Sequence, residues 1–253
     1  MISGKNVVLT GANSGIGLEM LRILVQNGNR VLAADLNIDR ISDDAMAYVC
    51  DISDEDGVNK LFIRAEEEFG KIDVFIANAG YNHYEIMDGS DWKKVDRIFR
   101  TNTISPIYSY QKYIEHLKGS DGIFVMTISA MGKMAMPGFT LYSATKFALN
   151  GFQEAVRLER PDNVQITCVY PVSTDTAFFD SPAEIEKPYP VQSPELVAMK
   201  ALKGIEKGKK KVFPSKLFRF ATVLFTILPP VKWLYLKKEK EKVLRHEKRL
   251  KEL

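Results

Sequence analysis

The chain has 253 residues, 45% of them hydrophobic and 26% charged, the balance of an ordinary soluble globular protein. That balance excludes a disordered or low-complexity chain, and the length suits one α/β domain. The net charge of +3 hides a division: residues 200–253 hold seventeen Lys and Arg against five Asp and Glu, +12, which leaves −9 on the rest. Two cysteines, Cys50 and Cys168, lie in apolar runs that look like strands. They read as buried thiols rather than a disulfide, which suits a reducing cytoplasm. The first strand begins almost at once, so no signal peptide is expected.

Val7 to Gly17 reads as a buried strand, a glycine turn and the start of a helix, with Thr10, Gly11, Gly15 and Gly17 spaced Thr-Gly-x-x-x-Gly-x-Gly. Gly11 permits the tight turn, Gly15 lets backbone come close to a pyrophosphate, and Gly17 lets the helix pack on the strand. The free N–H groups and positive dipole end of that helix suit phosphates. Arg30 to Asp35 is a second strand. Asp35, 18 residues past the last glycine, can accept hydrogen bonds from both hydroxyls of an adenosine ribose, and it repels a 2′-phosphate. No Arg or Lys occupies 12–16 or 36–38, so NAD is expected rather than NADP.

The connection from Leu36 to Ala45 leaves little room for a crossover helix. A third strand is expected at Tyr48 to Asp51, with Asp51 near the adenine edge, then a helix from Ser53 to Phe69 with Ser53 and Asp56 as its capping box and Gly70 as its stop. Ile72 to Ala77 reads as the fourth strand, running into Asn78-Ala79-Gly80, and Asp91 to Leu117 as a long helical region with Asn102 in its middle. Ile123 to Ile128 is the fifth strand, leading to Ser129. Tyr142 to Glu159 is a helix, and Gln165 to Tyr170 a sixth strand ending at Pro171. Unbroken apolar strands alternating with helices predict a doubly wound parallel sheet, Rossmann-type, with ligands beyond the carboxyl ends of its strands.

Tyr142 and Lys146 lie four apart and so share one helix face. A phenol titrates near ~10 and needs its anion favoured before it works as an acid–base group at neutral pH; an ammonium one turn away does this. Ser129, at a strand end, can hold a substrate oxygen. Taken alone, Tyr-x-x-x-Lys fits a solvated helix face; the serine and the glycine turn weigh against that.

From Lys5 to about Thr176 the sequence resembles the short-chain dehydrogenase/reductase family. Asn102, Ser129, Tyr142 and Lys146 match its catalytic tetrad. The resemblance implies that Tyr142 is the acid in reduction and the base in oxidation, and that Ser129 orients the carbonyl or alcohol. Lys146 would lower the Tyr142 pKa and bond a ribose hydroxyl, and Asn102 would hold a helix kink and a proton-relaying water. It assigns to the cofactor Gly11, Asn13, Ser14, Gly15, Ile16 and Gly17, then Asp35, Asp51 and Ile52. Asn78, Ala79 and Gly80, Tyr142 and Lys146, and finally Pro171, Thr174 and Thr176 complete that set. No metal site is expected. The family usually has Pro-Gly after the sixth strand; here it is Pro171-Val172, which narrows the backbone choices beside the nicotinamide. The resemblance also implies a homo-dimer or homo-tetramer.

In this family the segment from Ala177 to Gln192 covers the substrate, and here Phe178, Phe179, Ile185 and Tyr189 offer an apolar lid with no Arg in it. Met131, Met134 and Met136 add adaptable apolar surface. The expected substrate is a lipophilic secondary alcohol or ketone, such as a steroid, bile acid, or fatty or terpenoid alcohol; the alternative is that these residues pack a dimer interface.

Ser193-Pro-Glu starts another helix, and Lys209 to Phe213 reads as an edge strand. In Lys216 to Leu236 the longest uncharged part, Phe220 to Val231, is 12 residues, too short for a bilayer that needs ~20. Its basic flanks with Trp233 and Tyr235 suit a helix in the interface of an anionic membrane, or else an arm on a partner subunit. Lys237 to Leu253 is a charged helix with Glu241–Arg245 and Glu247–Lys251 at i,i+4. Its lysines are mixed with glutamates, so nucleic acid is not an expected partner. The expected organisation is a cofactor-binding and catalytic body at 1–213 and a basic helical extension at 214–253, in the cytoplasm or on the inner face of a membrane. A non-catalytic NAD(H) sensor or a membrane-surface scaffold of the same fold is the rival reading.

Overall fold

The computed structural model describes residues 1–179 and 185–252. Strands β1 (Asn6–Thr10), β2 (Arg30–Asp35), β3 (Met46–Val49), β4 (Val74–Ala77), β5 (Gly122–Thr127) and β6 (Val164–Val169) form one parallel sheet. Two short strands, β7 (Ser173–Thr174) and β8 (Val191–Gln192), pair with each other apart from it. A last strand, β9 (Lys211–Val212), adds to its edge beside β6, giving the order β3-β2-β1-β4-β5-β6-β9. The order reverses between β1 and β4, and the crevice of such a sheet opens there.

Helices cover both faces, as the unbroken apolar strands require. Val7 and Leu9 of β1 face α1 (Gly15–Gln26), while Val8, between them, faces α2 (Glu55–Phe69). On the α2 side Phe62, Phe75 and Phe124 stack at centroid separations of 5.1 and 5.4 Å. Each such ring contributes about 1.5–3 kcal/mol by leaving water. Helix α3 (Trp92–Phe99) runs through a π turn at Arg100–Ile104 into α4 (Ser105–Leu117), so the long helical region expected from Asp91 to Leu117 is interrupted in its middle, at Asn102. Helix α5 (Thr140–Glu159) carries Tyr142 and Lys146, and α6 (Pro194–Glu206) joins α1 on the second face. Two further helices, α7 (Lys216–Ile227) and α8 (Pro229–Glu252), are bent by 119° at their junction.

Several boundaries move. The third strand ends at Val49, because its register with β2 runs out where Val49 faces Asp35; Cys50 then donates its N–H to the Asp35 carbonyl at 2.8 Å. Cys50 therefore lies past the strand, although both cysteines are buried free thiols as expected. Helix α2 is capped by Asp54, which accepts from the Gly57 N–H, and not by the box at Ser53 and Asp56; Ser53 N–H is taken by Asp51. The edge strand shrinks to Lys211–Val212. No helix fills the connection from β2 to β3, which leaves Leu36 and Val49 exposed at that edge. In α8, Arg245 pairs with Glu186 at 3.0 and 3.1 Å instead of Glu241, and Glu247 accepts from the Ile86 N–H instead of meeting Lys251.

Candidate active site

Beyond the carboxyl ends of β1, β4, β5 and β6 lies a cavity of about 440 Å3. Its floor is the glycine turn. Gly11 has φ +68°, and a Cβ on Gly17 would sit 1.8 Å from the Gly11 carbonyl oxygen, so helix α1 approaches β1 as closely as backbone permits. Thr10 Oγ1 accepts from the N–H groups of Asn78 (3.1 Å) and Ala79 (3.2 Å). Asn78 Nδ2 donates back to the carbonyls of Thr10 and Gly11, and Thr127 Oγ1 donates to Asn78 Oδ1 at 3.0 Å. This network ties three strand ends together. Helices α2, α3 and α6 are capped by Asp54, Asp91 and Ser193, whereas Ser14 makes no side-chain cap on α1. The N-terminus of α1 thus keeps its dipole and amides for an anion.

Of the cofactor residues expected, Gly11, Ser14, Gly15, Ile16, Gly17, Asp35, Asp51, Ile52, Asn78, Ala79 and Gly80 line the cavity, as do Pro171, Thr174 and Thr176. Asn13 does not line it. Its side chain turns to the β2–β3 connection, donating to Asp39 at 2.9 Å and accepting from the Arg40 N–H at 2.8 Å. Its backbone N–H holds one oxygen of Asp35 at 2.9 Å, and the Leu36 N–H holds the other at 2.7 Å. Asp35 thus presents a fixed carboxylate. The only cationic side chains lining the cavity among the described residues are Lys146 and Arg97.

Ser129, Tyr142 and Lys146 share the wall at the far end. Lys146 is buried, with its Nζ 5.4 Å from the Tyr142 ring centroid and donating to the Thr127 carbonyl at 3.0 Å. Burial raises the Tyr142 phenol to about 12, with the adjoining Ser129 hydroxyl pulling the other way. Burial also lowers Lys146 to about 7. Desolvation therefore opposes the lowering that the resemblance implies for Tyr142. Ser129 has φ +121°, a region L residues seldom enter, and its Oγ accepts from the Met131 N–H. Asn102 lies behind the wall, fully buried in the π turn. Its Oδ1 accepts from the Tyr81 N–H, and its Nδ2 donates to the Tyr81 carbonyl and to Thr145 Oγ1. It clamps the loop after Gly80 to α5 rather than facing the cavity.

Above Tyr142 the lining is apolar. Phe178 meets the Tyr142 ring edge-on at 5.3 Å, Phe179 packs on Phe139, and Met131, Met134 and Met136 are buried along the wall. Ile185 is buried, and Tyr189 also lines the cavity; residues 180–184 of the expected lid lie outside the described residues. The lining residues missed from the sequence include Phe218, Tyr235, Arg97 and Tyr81. Phe218 and Tyr235 come from α7 and α8, which read as surface helices, and nothing local signals that they turn inward. Arg97, on α3, reads as one charge among several. Tyr81 follows Asn-Ala-Gly, and its hydroxyl is buried without a hydrogen-bond partner among the described residues.

Residues 5–186 match the family model of short chain dehydrogenases. The chain is 29% identical over 232 residues to a 3-ketodihydrosphingosine reductase of Bos taurus, covering 82% of this chain and 70% of that one. It is also 29% identical over 193 residues to 3beta-hydroxysteroid dehydrogenase 2 of Eggerthella lenta, covering 70% and 73%. In fold it is similar to a short chain dehydrogenase of Burkholderia cenocepacia in complex with NADP (TM-score 0.79, 21% identity, 92% and 98% covered). A short chain dehydrogenase/reductase of Burkholderia phymatum in complex with NAD is similar as well (TM-score 0.77, 18% identity, 88% and 94% covered).

Proposed function

This chain belongs to the short-chain dehydrogenase family, and within it we propose an NAD-dependent oxidoreductase that interconverts a lipophilic secondary alcohol and its ketone. The observation that carries the reading is the buried Ser129–Tyr142–Lys146 group on the wall of a cavity floored by the glycine turn. Ser14 to Gly17 would hold the pyrophosphate, Asp35 the adenosine ribose, and Lys146 the nicotinamide ribose. Bound there, the nicotinamide supplies or accepts the hydride. Ser129 Oγ holds the substrate oxygen; Tyr142 Oη gives that oxygen a proton in reduction and takes it in oxidation. Asn102 positions Tyr81 and α5. A phenol raised to about 12 holds its proton at neutral pH, which suits the acid role; oxidation should speed up as pH rises and the phenolate is populated.

NAD preference is supported by the fixed Asp35 carboxylate, which would repel a 2′-phosphate. The lipophilic substrate is supported by Phe178, Phe179 and the three methionines, and the names of the two relatives point the same way. The same reading takes 1–213 as cofactor-binding and catalytic body and 214–253 as a helical extension, with a homo-oligomer in the cytoplasm that touches the inner face of a membrane.

The test titrates NAD and NADP and follows NADH absorbance with a panel of hydroxysteroids, fatty alcohols and small alcohols, for wild type and Tyr142→Phe. Turnover of a lipophilic member with NAD, reduced about 10²–10⁴-fold in the variant at unchanged NAD affinity, is expected. Preference for NADP overturns the cofactor, turnover of small polar alcohols alone overturns the substrate class, and tight NAD binding without turnover favours a sensor.

A further inference from the structure

The outer face of α7 is bare. Leu217, Phe220, Val223 and Ile227, three or four apart, are exposed along it, Phe220 by 65% and Ile227 by 70%. Its inner face carries Phe218, buried, and Phe225, stacked on Tyr235 of α8 at 5.7 Å. Beyond the 119° bend, Val231, Trp233 and Leu234 are exposed as well. An apolar patch of this kind on a water-soluble chain marks an interaction surface.

The charge around it has one sign. No Asp or Glu occurs between Glu206 and Glu239, a stretch with nine Lys and Arg. Lys216, Arg219, Lys232, Lys237 and Lys238 form no ion pair among the described residues, and Lys237 lies over the Trp233 ring at 5.4 Å. A second copy of this face, brought up by two-fold symmetry, would set cation against cation. A bilayer offers acyl chains to the apolar residues and phosphates to the cations, with Trp233 at headgroup level. No single helix among the described residues is long and apolar enough to cross a membrane. The inward side chains of the same helices, Phe218 and Tyr235, line the cavity, so the bare face and the substrate chamber are the two sides of a wall one helix thick.

We infer that α7 and the first turns of α8 dock on an anionic bilayer and that the substrate enters the cavity from it. The entry route rests on the proposed lipophilic substrate; the docking does not. The experiment floats the full chain with phosphatidylcholine vesicles, with and without phosphatidylglycerol, no substrate present. Binding to the anionic vesicles that weakens with added salt is expected. Phe220→Ser, Val223→Ser and Ile227→Ser together should lower the partition at least about tenfold, and Arg219→Glu with Lys232→Glu should abolish the preference for anionic lipid. Both variants should keep their circular-dichroism melts and turn over a water-soluble alcohol within about twofold of wild type. With a vesicle-embedded alcohol, kcat/KM should fall in step with the partition. Wild type left in the aqueous fraction overturns the docking even if a detergent-dispersed alcohol is turned over, as does a dimer that the triple-serine variant splits. Vesicle binding without turnover of any lipophilic alcohol supports the docking and overturns the substrate reading with its entry route.

Discussion

The glycine turn and the α7–α8 pair wall one cavity from opposite sides and are held by different means. The turn is held by backbone: carbonyls, amides and glycines within a few residues of one another, locked to the next strands by Thr10 and Asn78. The pair is held by side chains from distant stretches. Val243 of α8 packs at Gly138, His246 meets Tyr84 at 4.8 Å, and Arg245 reaches Glu186. What binds a common cofactor is built from local geometry that tolerates little change. What shapes the substrate end is built from long-range packing, which can be exchanged while the turn stays as it is.

Gly17 is where this contrast should break hardest. Gly17→Ala puts a methyl 1.8 Å from the Gly11 carbonyl oxygen, which is backbone and cannot swing aside, and 2.7 Å from the Asn78 Nδ2 that bonds that carbonyl. A loss of about 3 kcal/mol or more and no measurable NAD binding are expected from urea melts and titration. Lys146→Met sharpens the comparison from within the body. Burial holds Lys146 at about 7 against 10.5 in the unfolded chain, so the folded state binds fewer protons between those values and stability rises with pH across that window. Removing the buried ammonium should abolish turnover yet raise Tm below pH 7, with the gain shrinking toward pH 10; a gain that grows with pH would refute the assignment. The smallest effect belongs to Arg245→Ala. Its pair with Glu186 is exposed, so the urea midpoint should barely move, while KM for a bulky substrate rises more than kcat falls.

The same division explains what was legible in the sequence. The order of strands and helices, the glycine turn, Asp35 and the Ser129–Tyr142–Lys146 spacing are short-range patterns, and a parallel sheet leaves few ways to arrange them. Strand ends were not legible, since register with a neighbour sets them, as Asp35 does for Val49. Nor was the outward turn of Asn13, which depends on the unusual helix-free connection holding Asp39 and Arg40 beside it. The break at Asn102 is the kink that the resemblance implies; only its partners, Tyr81 and Thr145, 21 and 43 residues away, were not legible. Phe218 and Tyr235 look alike on paper to Phe220 and Trp233; only the packing of α7 and α8 on the body decides which pair faces the cavity.

The side chains that close the substrate chamber, Phe218 and Tyr235, come after every strand of the sheet in chain order. On the ribosome, synthesis runs in that direction and earlier segments fold first. The nucleotide half can therefore be complete while the far wall is still in the exit tunnel. On the proposed reading the nascent protein would for that interval be a nucleotide binder with an open greasy flank, and cofactor captured early would stabilise it by mass action until the last two helices arrive.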